Sequence, residues 1–306
     1  MARAELDPAL GVRVISVREL RYGASSALGE DRPRHVRAAS GLAFVSGRLA
    51  VVQDDAAFIA YVAGSDVTAH ALPRGAGGRR RFEVGLGNKM EKLDLESCIA
   101  VDDELWAFGS GSAPAREKIA VVGYTTKLVD AVPLYRRLRE ELEGEINLEG
   151  AAIVGDAVWL FHRGNTGPGD RGPAIARVDR DALARWIAGD GPVPAVTLVD
   201  RYDLGVASGV RLGFTDAVAL GSRVFYLAAA EASPNAIDDG AIIAAQLGVI
   251  DGDRVRAAPL VVDGEPLKAE GLAFDPSVPR RAWIAIDPDD VDTPARLYEI
   301  ELVGPW

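Results

Sequence analysis

The chain has 306 residues, 48% of them hydrophobic and 26% charged, a globular composition that excludes collagen, coiled coil and extended disorder. Lys plus Arg number 34 against 45 Asp plus Glu, a net charge of −11, and so acidic a surface repels a phosphate backbone and argues against nucleic acid as a partner. The single cysteine, Cys98, rules out an intramolecular disulfide. No run reaches the roughly 18 apolar residues of a membrane helix. Met1 to Leu10 has neither the basic start nor the apolar stretch of a secretory signal. No membrane partner and a cytoplasmic location are the expectations.

In chain order, the first strand expected is the amphipathic run Val12 to Tyr22. A repeat then begins. Five segments align: Ser40-Gly41-Leu42-Ala43-Phe44, Glu96-Ser97-Cys98-Ile99-Ala100, Glu149-Gly150-Ala151-Ala152-Ile153, Asp216-Ala217-Val218-Ala219-Leu220 and Glu270-Gly271-Leu272-Ala273-Phe274. Each opens on a polar residue and runs into small and aliphatic ones. A turn signal follows, such as Ser46-Gly47 or Gly155-Asp156, and then a second strand carrying Ala50, Trp106, Trp159, Tyr226 or Trp283. That is the grammar of a hairpin. Each unit holds two further strand-like runs, for example Ile242 to Ile250 and Val255 to Val262. The third unit also has a helical stretch, Arg180 to Ile187. Four antiparallel strands in about fifty residues mark a propeller blade.

After Asp290 there is room for only one more strand, Arg296 to Leu302, so the fifth unit is one strand short. Val12 to Tyr22 can complete it. The expected fold is therefore all-β, a single domain over 1–306. It is a five-bladed β-propeller of four-stranded blades whose ring is closed by the N-terminal strand. Six blades, with residues 1–39 as a degenerate blade, is the alternative.

Antiparallel pairing returns the end of each second strand to the mouth where the first strand starts. Two rings of side chains are expected there. The inner one is Ser40, Glu96, Glu149, Asp216 and Glu270. The outer one gathers Gln53, Asp54 and Asp55; Ser110 and Ser112; His162, Arg163 and Asn165; Glu231; and Asp287, Asp289 and Asp290. Four carboxylates on one axis raise one another's pKa unless something offsets their charge. A divalent cation on Glu96, Glu149, Asp216 and Glu270 would do so, and an oxygen-only donor set favours calcium, with magnesium as the alternative. An ion-pair network with Lys92, Arg163, Arg211 and Lys268 would also do so, as would protonation that readies the acids for acid–base work.

Several signals have plainer readings. Trp106, Trp159, Tyr226 and Trp283 share one repeat position and are expected to fill the core between blades. Cys98 falls in a buried strand and is expected to be inert. The Gly- and Arg-rich segment Arg74 to Lys92 matches no phosphate-binding loop; it is read as a solvated connection, with Lys89 and Lys92 as a means of holding an anionic ligand over the mouth.

Glu149-Gly150 and Glu270-Gly271 at strand starts, each followed by an aliphatic strand, a turn and an aromatic, resemble the repeats of calcium-dependent propeller hydrolases. These are the gluconolactonase/paraoxonase group and the phytase-like esterase propellers. The resemblance implies a metal held in the channel by Glu149 and Glu270, with Glu96 and Asp216 in equivalent positions. Three functions are carried forward. The first is metal-assisted hydrolysis of an ester, lactone or phosphoester, with Arg163 or Lys268 holding an anionic group and His162 or an unliganded acid as base. The second is non-enzymatic binding of a small polar or anionic ligand or a protein loop at the same mouth. The third is glycoside hydrolysis by an acid pair. Lys92, Ser110, Asn165, Arg211, Glu231 and Asp287 are the expected ligand-binding residues.

Overall fold

The structure, a computed structural model, describes residues 1–23, 31–167, 169–232 and 240–306. Strands β1 (Ala2–Leu6) and β2 (Gly11–Glu19) come first. A first sheet follows from β3 (Ala39–Val45), β4 (Arg48–Gln53), β5 (Phe58–Ala63) and β6 (Asp66–Ala71). A second is built from β7 (Leu95–Val101), β8 (Glu104–Gly109), β9 (Lys118–Val122) and β10 (Thr126–Asp130). After helix α1 (Val132–Leu142), a third unit contains β11 (Leu148–Val154), β12 (Ala157–His162), β13 (Ala174–Asp179) and β14 (Val196–Asp203). Helix α2 (Arg180–Ala188) lies between its last two strands. A two-residue ladder, β15 (Val206–Ala207) with β16 (Val210–Arg211), leads to the fourth unit of β17 (Gly213–Leu220), β18 (Arg223–Glu231), β19 (Ile242–Asp251) and β20 (Arg254–Pro259). A second short ladder, β21 (Val261–Val262) with β22 (Glu265–Pro266), precedes β23 (Ala269–Phe274), β24 (Arg281–Ile286) and β25 (Arg296–Val303).

The five expected hairpins all form, β3–β4, β7–β8, β11–β12, β17–β18 and β23–β24. Their turns require backbone that most residues avoid. Ser46 and Gly47 both have positive φ, 47° and 75°, the geometry that matches the twist of the flanking strands. The fifth sheet is completed from the other end of the chain, where β2 pairs antiparallel with β25 from Gly11↔Val303 to Glu19↔Arg296.

The apolar residues divide into five clusters, each between two sheets in order. The first sheet packs on the second through Val52, Ile59, Leu95 and Leu105. The fifth packs back on the first through Ala285, Leu297, Val51 and Val62. Trp106 and Tyr226 are buried in these seams, whereas Trp159 and Trp283 are only partly buried. The architecture is nearly all-β and propeller-like, with α1 and α2 the two α-helices among the described residues.

Two elements went unforeseen. Helix α1 has Pro133 in its first turn and buries Leu134, Tyr135, Leu138 and Leu142, spaced to fall on one face. It packs into the seam between the second and third sheets. Strand β1 is parallel to both β14 (Ala2↔Tyr202) and β20 (Ala4↔Val255), so it joins the outer edges of the third and fourth units into one nine-stranded sheet. Residues 1–23 therefore form two strands on separate sheets; residues 24–30 of the alternative 1–39 blade lie outside the described residues.

Candidate active site where the first strands begin

Each first strand carries a β-bulge at its start. Register shifts fall between Ala39 and Gly41, Leu95 and Ser97, Leu148 and Gly150, Phe214 and Asp216, and Ala269 and Gly271. The extra residue of a bulge has no ladder partner, and here it is Ser40, Glu96, Glu149, Thr215 and Glu270. The fourth opener is thus Thr215, not Asp216. Two hydroxyl openers behave alike: Ser40 Oγ donates to the Leu95 carbonyl of the next first strand, and Thr215 Oγ1 donates to the Ala269 carbonyl at 2.6 Å.

The residue after the opener sits where neighbouring first strands nearly touch. A Cβ on Gly41 would lie 3.1 Å from Ser97 Cα, one on Gly150 would lie 3.0 Å from Ala217 N, and one on Gly271 would lie 3.2 Å from Gly41 C. This is the physical content of the Glu-Gly pairs. Asp216 occupies the same position and has a different task. Its Oδ1 accepts from Ala217 N and its Oδ2 from Leu272 N, both at 2.7 Å, with the Leu42 N–H also turned towards it. Burial pushes its carboxyl well above the usual range, against the pull of those N–H groups. It ties three first strands together and does not join the ring of openers.

The acids around the openers are held in ion-pair networks. Arg163 Nη1 is 3.4 Å from Glu149 Oε1, and Nη2 donates to Glu231. Glu149 also accepts from Asn147 Nδ2 at 2.6 Å, and Asn165 Oδ1 accepts from the same amide at 3.0 Å. Lys268 Nζ pairs with Asp289 and lies 3.9 Å from both Glu270 Oε1 and Asp287 Oδ2. Lys92 Nζ is 2.5 Å from Asp54 Oδ2 and 2.6 Å from Asp94 Oδ1, and Arg116 Nη1 is 2.9 Å from Asp94 Oδ2. Arg37 pairs with Asp55 at 2.6 Å and Glu83 at 2.9 Å.

Compensation is incomplete. Burial, opposed by Arg163, pushes Glu149 up to about 7. Burial, opposed by Lys268 and Arg163, pushes Glu270 up to about 8. Asp287 and Asp55 each rise to about 7 through burial, with Lys268 opposing it at Asp287 and the neighbouring Asp54 adding to it at Asp55. Glu96 is pushed well above the usual range by burial and by Asp94, Glu149 and Asp54. Neither Glu96 nor Glu270 receives a hydrogen bond among the described residues, although Glu270 is only 7% exposed.

One carboxylate oxygen each from Asp54, Asp94 and Glu96 lies within 4.8 Å of the others, a trio that could hold a metal ion. The oxygen-only donors suit a hard cation. The Lys92 ammonium already stands against two of the three, so an ion at this place would compete with it. Asp94 was missed from sequence because it precedes the strand, at positive φ; its spacing two residues before Glu96 was the available signal.

The other expected residues are placed as follows. Ser110, fully buried, donates to Asp94 and lies 2.8 Å from Ser112 Oγ. Both nitrogens of buried His162 are engaged: Nδ1 accepts from Asn147 N at 3.1 Å and Nε2 lies 3.2 Å from Asp170 Oδ2. Asp170 in turn accepts from Thr166 N at 3.0 Å and Gly172 N at 2.6 Å, so His162 anchors the loop after β12. Arg211 is exposed and lies against Gly172, apart from the carboxylates. A cavity of about 430 Å³ opens beside the openers, with Arg37, Asp54, Asp55, Lys92 and Asp287 in its wall together with Phe82, Val84 and Val291.

A protein-family model matches residues 35–302, that of a family of unknown function (DUF6929). No curated protein matches. Among solved structures, the fold is similar to that of Myxococcus xanthus glutaminyl cyclase. That match has 10% identity and a TM-score of 0.53, and it covers 100% of this chain and 99% of that one. A mannose phosphorylase from Leishmania mexicana is similar at 13% identity and TM-score 0.47, covering 94% of this chain and 89% of that one. A putative gluconolactonase is similar at 10% identity and TM-score 0.43, covering 87% and 75%.

Proposed function

We propose, for a chain that belongs to the DUF6929 family, that it is a closed five-bladed propeller whose opener mouth hydrolyses a small polar substrate by carboxylate acid–base chemistry. The five inter-sheet clusters and the β2–β25 pairing support the ring. One observation carries the chemistry: three glutamates, Glu96, Glu149 and Glu270, sit at the same bulge position, with Glu149 raised to about 7, Glu270 to about 8 and Glu96 well above the usual range. Glu149 and Glu270, so raised, are divided near pH 7 between the protonated form, a donor to a leaving group, and the ionised form, an acceptor from water. Glu149, held by Arg163 and Asn147, suits the fixed ionised role. Glu270, with no hydrogen bond among the described residues, suits the protonated one.

Asp54, Asp94 and Glu96 would hold a calcium or magnesium ion, which when bound supplies polarisation of a substrate oxygen. Arg163 and Lys268 orient the acids beside them, and His162 fixes the loop that carries Arg163. The test is a broad ester, lactone, phosphoester and aryl-glycoside screen on the native chain and on Glu149→Gln and Glu270→Gln. Turnover that falls at least a hundredfold in both variants, with folding intact by circular dichroism, supports the reading; turnover unchanged in both overturns it.

A further inference from the structure

The far ends of the first strands enclose a space that the opener chemistry does not use. Inward of it the strands draw together at Gly41, Gly150 and Gly271, where an added Cβ would meet a neighbouring strand's backbone within 3.2 Å. Two residues further on, the same strands carry Ala43, Ala152 and Ala273, side chains too short to fill the axis, and a cavity of about 600 Å³ opens there. Protein interiors are ordinarily close-packed, so this axis leaves apolar surface for an occupant to cover. The wall reaches solvent: Phe44, Ile153 and Val218 remain partly exposed, and Leu220 is 40% exposed. The volume falls within the roughly 300–1,000 Å³ of small-molecule sites, which are mostly apolar with a few placed polar groups.

The charged side chains in the lining are Arg223, Arg280 and Asp275. The acid is already met inside its own turn, where Asp275 Oδ1 accepts from Ser277 N at 2.8 Å and from Ser277 Oγ at 2.6 Å. The arginines are held by main-chain oxygens. Arg280 donates through Nε to Leu302 O at 3.1 Å and through Nη2 to Gly304 O, and Arg223 donates through Nη1 to Trp306 O at 2.5 Å. Gly304 and Trp306 are two residues apart, at most about 7 Å of extended chain, so the two guanidinium groups are neighbours. Each has five N–H donors, and among the described residues neither pairs with a side-chain carboxylate. At the opener mouth, by contrast, Arg37, Lys92, Arg163 and Lys268 each stand against two or more acids. An anion finds unclaimed donors at the far end.

We propose that this cavity is a second binding site, for a small amphipathic carboxylate. Its hydrocarbon portion lies between the first strands, and its carboxylate is received by Arg280 with Arg223 beside it. Guanidinium and carboxylate match in charge and in planar geometry, and covering the apolar wall supplies the rest of the affinity. The site is separate from the opener mouth and stands whether or not that mouth is catalytic.

The test is calorimetric titration of the full chain with octanoate, hexanoate, octylamine and acetate. Octanoate should bind at millimolar concentration or below. Hexanoate should bind about tenfold more weakly, since each buried methylene is worth a factor of about three to four. Acetate and octylamine should give no binding. Arg280→Gln, at an exposed turn, should weaken octanoate about fivefold or more with circular dichroism unchanged, and Ala219→Phe, which fills the wall, should abolish binding. Should Ala219→Phe fail to fold, Arg280→Gln and Arg223→Gln decide, together with the hexanoate comparison. Absence of octanoate binding overturns the proposal. So does octylamine binding as tight as octanoate's, or octanoate binding that Arg280→Gln and Arg223→Gln both leave unchanged.

Discussion

The two ends of the five first strands differ in character. At their starts lie the ion-paired carboxylates and the bulges. Towards their ends the same strands line a space of about 600 Å³ coated by Ala43, Cys98, Ala152, Ala219 and Ala273. Asp216 lies between the two, bonded to backbone rather than to ions. The contrast shows how a repeat separates stability from chemistry. Within the ladder, small residues let the strands approach. One step outside it, the unpaired bulge residue can be acidic without disturbing the pairing.

The largest expected effect tests the divider. Asp216→Ala would leave the buried N–H groups of Ala217 and Leu272 without acceptors. At about 1–3 kcal/mol each, the loss should reach about 3 kcal/mol in urea unfolding, with Asp216→Asn retaining part of it. A loss below about 1 kcal/mol would show that the axis does not depend on it. Next comes close approach. Gly271→Ala would place a Cβ 2.9 Å from Leu42 Cγ and 3.2 Å from Gly41 C, and such overpacking should cost about 1–3 kcal/mol by the same measurement.

A third prediction separates the two ends by pH. Asp55, Glu149 and Asp287 rise to about 7 and Glu270 to about 8 in the folded chain. These values lie above the ordinary ones, so folding favours the protonated forms. Their stabilisation is complete below about pH 4 and is lost as pH climbs past 7 to 8. Tm should therefore fall between pH 5 and pH 8.5, and Glu270→Gln should flatten that fall, whereas substituting the far-end Ala219 by Ser should leave its slope unchanged. The smallest effect is expected at Lys92→Gln. It frees Asp54, Asp94 and Glu96 for an ion, so calcium should raise Tm more in the variant than in the native chain, and chelator should reverse the gain.

Much of the fold was legible because hairpins announce themselves locally, through alternating apolar residues and turn pairs such as Ser46-Gly47. The mouth was legible for Glu96, Glu149 and Glu270 because a frame repeats. It failed by one position at Asp216, since the eye takes the acid as the marker while the register takes the bulge, and Thr215 looks like an ordinary strand residue. Asp94 and the His162–Asp170 pair escaped for a related reason: their roles are set by contacts across loops, which periodicity does not encode. Strand β1 escaped because its partners lie about 200 and about 250 residues away.

That last feature has a consequence for biosynthesis. Within this chain β1 and β2 are made before the strands they pair with, β14, β20 and β25, the last of these at Arg296–Val303. Contacts so distant along the chain are entropically slow to form. These two strands must therefore wait, without their ladders and open to wrong strands, until the chain has been made as far as Val303. The exposed Arg3 and Glu5, and Arg13 and Glu19 along the second strand, keep that waiting ribbon from sticking to itself.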